Sequence, residues 1–118
     1  MTMTEDLHID CPPETAFDTM ADVRNETAWN DGVSRADMVT GEPVGEGSQF
    51  VTHHGRPLGQ IESTITTFDR PRRLEFAATS RMMDLDISFT FSEAGSGTLV
   101  HGTFDPQPKG FMVAVSYT

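Results

Sequence analysis

Cysteine, tryptophan and basic residues are scarce in this chain, and long apolar runs are missing. A lone cysteine, Cys11, has no partner within the chain for a disulfide. That suits a reducing compartment and sets the expectation of a cytoplasmic protein. The longest apolar stretches span only a few residues, Phe111 to Val115 among them, far short of the roughly 20 that a membrane-crossing helix needs. The N-terminus, MTMTEDLHID, has neither the basic start nor the apolar core of a secretory signal. Lysine and arginine together number 8 against 18 acids, a net charge of −10. The imbalance is concentrated in residues 1–50, where eleven acids face only Arg24 and Arg35. Such a surface repels a phosphate backbone, so nucleic acid is not expected as a partner. The one basic run, DRPRRLE at Asp69 to Glu75, is short and flanked by acids. It reads as a solvated turn more readily than as an anion or lipid-headgroup site.

What remains is an ordinary globular composition, 36% hydrophobic and 22% charged over 118 residues, enough for one core and one domain spanning 1–118. Leu7 and Ile9 alternate with His8 and Asp10, which predicts a strand over 4–10. Two prolines follow, and proline is tolerated in a first helical turn, where its missing N–H had no partner to lose. Ala16, Phe17, Met20 and Ala21 then mark one face of a helix. Asp22 can end it and cap a second short helix from Arg24 to Trp29.

Downstream the period changes to two. Strands are predicted over 34–40, 48–54, 59–69, 74–80, 84–92 and 98–104, separated by turns such as GEPVGEG, HHGRPLG, RPRR and EAGSG. The hairpin-type connections predict an antiparallel sheet with one wet face. The alternation is clearest from Asp84 to Ser92, with Leu85, Ile87, Phe89 and Phe91 on one face and acids and hydroxyls on the other. By the same rule Phe50, Ile61, Ile65, Leu74 and Phe76 turn inward. Val100, Gly102 and Phe104 are placed with them, although Leu99 and His101 blur that strand. Two short helices cannot cover six or seven strands, so the apolar face must curve round a cavity or be covered by something else.

The order IDCPPETAFDTMADVRNETAWN, GEPVGEGSQF, ITTFDRPRRLEF, FTFSEAGSGTLV resembles the START-like superfamily that includes polyketide cyclases and dehydratases (SRPBCC). The resemblance covers about residues 4–108 and lies in the joint order of the pieces, since none is specific alone. It implies an α+β helix-grip fold, a curved antiparallel sheet of six to seven strands round a long C-terminal helix, with a deep cavity for a hydrophobic ligand between them. It also implies that Trp29, the single tryptophan, caps one end of the cavity as a plug or touches the ligand. The family's closing helix needs about 20 residues to span ~30 Å. Lys109 to Thr118 supplies about half of that in a β-branched sequence. The closing helix is therefore expected to be short or truncated here, with a longer chain or a second copy of the protein completing the cover.

Candidate chemistry is sparse. His53 and His54 are adjacent on a strand and point to opposite faces, so no metal site is expected. If Phe50 points inward, so do Thr52 and His54. His54 is then the one candidate catalytic residue, as an acid–base group or a ligand-orienting one; the alternative is a hydrated histidine at a hairpin end. Ser63 and Thr67 share the face of Ile61 and Ile65, a polar admixture that a ligand cavity tolerates better than a dry core. Asp84 and Asp86 sit on the outer face with nothing to desolvate them. The predicted ligand-contacting set is Trp29, Phe50, Thr52, His54, Ile61, Ser63, Ile65, Phe76, Ile87, Phe89 and Gly102, with no cofactor. The favoured expectation is binding of a hydrophobic or aromatic small molecule. A polyketide cyclase or dehydratase in the same cavity, and an adaptor or co-chaperone using the sheet face, are the alternatives.

Overall fold

The structure, a computed structural model, describes residues 2–109. Strand β1 (Met3–Ile9) leads into helix α1 (Pro13–Ala21) and a 3-10 helix (Val23–Ala28). Six strands follow: β2 (Val33–Met38), β3 (Gln49–His54), β4 (Gln60–Asp69), β5 (Arg73–Thr79), β6 (Met83–Ala94) and β7 (Gly97–Pro108). They form one open, curved antiparallel sheet in the order β1-β7-β6-β5-β4-β3-β2. From β2 onward each strand pairs with the next, as hairpin turns dictate. The exception is β1, which lies against β7, with Leu7 opposite Val100. Strands β1 and β2 therefore occupy opposite edges, and the chain between them must cross the sheet. The two helices are that crossing.

Helix α1 forms where the sequence placed it. Pro12 is the N-cap, Pro13 opens the first turn and Glu14 adds a favourable acid near the N-terminus. Its buried face is Ala16, Phe17 and Ala21. Phe17 is fully buried and meets Phe68 edge-on at 5.0 Å and Phe91 at 5.3 Å between ring centroids. Asp22 both ends α1 and caps the next helix, accepting from the Arg24 backbone N–H at 3.1 Å. That second element is a 3-10 turn over Val23–Ala28 rather than a helix running to Trp29, and Trp29 is its C-cap.

The closed end of the fold is dry. Phe50, Ile65, Leu74, Phe91 and Val100 pack beneath Ala16, Phe17 and Ala21. Residues 70–73 form a turn whose arginines are all engaged by acids: Arg70 grips Asp18 of α1 with two bonds at 2.7 and 2.8 Å, Arg72 meets Asp69, and Arg73 meets Glu75. The basic run is thus the solvated turn expected of it.

Two strand details differ from the alternation. The β4–β5 register shifts between Ile65 and Thr67, so the extra residue reverses the faces beyond it. Thr67 turns outward and donates to Glu75 at 2.6 Å, instead of sharing the face of Ser63, and Phe68 turns into the core. Strand β7 also continues to Pro108, four residues beyond the predicted end at 104. Its pairing with β1 stops at Phe104, so from Asp105 onward it is an edge strand, where proline is tolerated. The expected C-terminal helix falls on residues 110–118, outside the described residues.

Candidate ligand cavity

The curvature of the sheet and the off-centre crossing of the helices leave part of the inner face uncovered. Helix α1 lies over one end of strands β6 and β7, while the 3-10 helix lies over β2 and β3. Between them is a cavity of about 410 Å³, within the range of small-molecule sites. Its walls are apolar on the side of β5, β6 and β7, where Phe76, Ala78, Leu85, Ile87, Phe89, Val100 and Phe104 face it. Phe89 lies edge-on to Phe104 at 5.8 Å and to Phe76 at 6.5 Å. Gly102 sits among these rings, and a Cβ there would come within 3.1 Å of Phe89 and 3.2 Å of Phe104. The missing side chain leaves room for both rings.

The opposite side is mixed. Ile61, Ser63, Thr52 and His54 come from β4 and β3, and Glu26, Trp29 and Asn30 from the 3-10 helix and its end. Thr52 is 4% exposed, and its hydroxyl lies 2.8 Å from His54 Nε2 and 3.4 Å from the Ile61 carbonyl. It can donate to the carbonyl while accepting from the ring. No ion pair joins His54 to a carboxylate among the described residues. His53 points the other way, its Nε2 3.8 Å from Asp37. Among the described residues no group of three metal-ligating side chains converges.

At the mouth Asp22 is held by Arg24 through Nε and Nη2, both at 2.9 Å, and that hydrogen bonding keeps its carboxyl below its ordinary pKa against the raising effect of burial. Glu26 accepts from the Asn30 amide at 3.1 Å. Trp29 lines the cavity yet is 61% exposed. It stands on the rim and does not close the cavity as a plug.

Nine of the eleven predicted contact residues line this space: Trp29, Thr52, His54, Ile61, Ser63, Phe76, Ile87, Phe89 and Gly102. Phe50 and Ile65 do not. They point to the predicted face but are 0% and 1% exposed and belong to the dry core. Reading the faces could not show where along a strand the helix ends and the cavity begins. Leu85, Val100 and Phe104 were placed on the inner face yet left out of the site. Glu5, Leu7, Met20, Val23, Glu26 and Asn30 were not foreseen, because their place at the mouth depends on the path of the crossing. A second hollow, on the outer face between Gln49, Glu62, Thr64 and Asp86, is lined about equally by polar and apolar groups and lacks the cluster of aromatic rings that walls the first.

An open antiparallel sheet curved round an inner cavity, with two short helices between the first two strands, is the START-like helix-grip architecture. The chain belongs to the family described as polyketide cyclase / dehydrase and lipid transport, which matches it over residues 1–117. Solved structures agree on the fold. A START superfamily protein from Mycobacterium smegmatis superposes with a TM-score of 0.77 at 14% identity, over 95% of this chain and 83% of that one. Ara h 8.0201 gives 0.73 at 15% identity, over 93% and 78%. CalU16 from Micromonospora echinospora gives 0.66 at 18% identity, over 98% and 68%. No curated protein matches the sequence.

Proposed function

We propose that this protein binds a hydrophobic small molecule in the cavity between the inner face of the sheet and the helices. The observation that carries the reading is the cavity itself, about 410 Å³ and walled mainly by aromatic and aliphatic side chains, with Thr52, His54, Ser63 and Asn30 among the polar groups that can fix orientation. Binding is favoured over a cyclase or dehydratase activity because His54 is bonded to a hydroxyl and no carboxylate among the described residues orients it as an acid–base residue. An adaptor role for the sheet face has no observation of its own. Membership of the family supports a hydrophobic ligand and leaves its identity open. No helix among the described residues is long and apolar enough to cross a membrane; the unpaired Cys11 fits a cytoplasmic setting.

Native mass spectrometry of freshly purified protein tests the reading. It is expected to show a non-covalent adduct of low molecular mass that organic solvent strips away. The same spectrum counts subunits, and a dimer is expected from the exposed Met3, Leu7 and Trp29 at the rim. Protein that carries no adduct and takes up no neutral hydrophobic dye contradicts the proposal.

A further inference from the structure

The walls of the cavity carry charge of only one sign. Glu5, Asp22 and Glu26 line it, and no lysine or arginine does among the described residues. Residues 110–118, GFMVAVSYT, contain no charged side chain that could alter this balance. Asp22 is neutralised by Arg24. Glu26 has no basic partner among the described residues, only the Asn30 amide on Oε1. The backbone N–H groups of Trp29 and Asn30 both donate to the Glu26 carbonyl, at 3.2 and 2.9 Å. Glu26 and Trp29 are thus fixed within one turn at the cavity mouth, a carboxylate beside an exposed indole. A protonated amine is attracted by both, through charge and through the face of the ring. A carboxylate-ended ligand would meet like charge at the mouth and no lysine or arginine inside among the described residues.

Resting on the binding reading above, we infer that the cavity selects amphiphiles whose polar end is a protonated amine, held at Glu26 and Trp29 with the apolar body against Phe89 and Phe104, and disfavours those ending in a carboxylate. The net charge of −10 adds long-range attraction for cations, but it acts on the whole surface. The mouth supplies the local preference.

The test is displacement of Nile red, a neutral dye, by decylamine, decanol and decanoate near neutral pH at physiological salt. The three have ten carbons each and carry a cationic, a neutral and an anionic head. The expected order of potency is amine, then alcohol, then carboxylate. Glu26→Gln keeps the acceptor for Asn30 and removes the charge; it should weaken the amine about fivefold, the upper range for one exposed ion pair, and weaken decanol less. Trp29→Leu should likewise weaken the amine more than the alcohol. Glu46→Gln removes the same charge from an exposed turn outside the cavity and should change neither. Decanoate binding as well as decanol overturns the inference. So does an amine that is weakened equally by Glu26→Gln and Glu46→Gln, since the effect would then belong to the whole surface. If neither Nile red nor decanol binds, the cavity reading itself fails, an outcome distinct from loss of head-group preference alone.

Discussion

His54 and Gly102 both line the cavity and make opposite contributions. The His54 ring is engaged by a buried threonine 2.8 Å away, which orients it. Replacing His54 by alanine removes one neutral hydrogen bond, and affinity for an uncharged ligand should fall by about 1 kcal/mol, roughly a factor of five. Calorimetry with decanol checks this, and complete loss of binding would give His54 a larger part than the geometry assigns. Gly102 contributes by lacking a side chain. A Cβ would press on Phe89 and Phe104 at 3.1 and 3.2 Å, so Gly102→Ala should cost about 1–3 kcal/mol through overpacking. Gly102→Trp should also fill the cavity and exclude bulky ligands. Urea denaturation and dye titration separate the two effects; unchanged stability with unchanged uptake would mean the rings move freely. The inward turn of Gly102 was readable from strand alternation. Its contact with two rings was not, because Phe104 sits two residues along and Phe89 on the neighbouring strand.

Individual elements were legible to the extent that one periodicity dominated each. Strand β6 alternates cleanly, and Leu85, Ile87, Phe89 and Phe91 all face inward as read. Strand β4 carries hydroxyls on both faces, so nothing in its pattern marks the bulge that sends Thr67 out to Glu75. Strand β7 runs through two prolines that look like a stop, and only its pairing explains why they are tolerated. Helix α1 was readable, but its tether was not: Asp18 and Arg70 are 52 residues apart in the chain. The paired guanidinium holds the Asp18 carboxyl below its ordinary pKa, mainly through the hydrogen bonds. A depressed carboxyl pKa adds stability that is present above the unfolded value and lost as pH falls through the folded one. Asp18→Asn should therefore lower the urea midpoint near neutrality, while the gap to the unmodified protein closes in acid below the carboxylate range. A gap that persists in acid would mean the ion pair is not its source. Solvent screens both partners, which are about half exposed, so the effect is expected to be small.

For the whole molecule, the order of strands decides where function can lie. Because β1 and β2 sit at opposite edges, the helices must cross the inner face. Because α1 is only nine residues long, it seals one end of β6 and β7, where Phe17 meets Phe68 and Phe91, and leaves the other open. The resemblance in the order of sequence pieces made the architecture readable. The division of the inner face into core and cavity was not, since it depends on helix length and placement together. That division is the central claim, and chemical-shift mapping during titration with decanol tests it most directly. The account predicts that perturbations concentrate at Thr52, Ile61, Phe76, Phe89 and Gly102 and spare Phe50 and Ile65 in the core. Shifts confined to the outer face, at Glu62, Thr64 and Asp86, would contradict it.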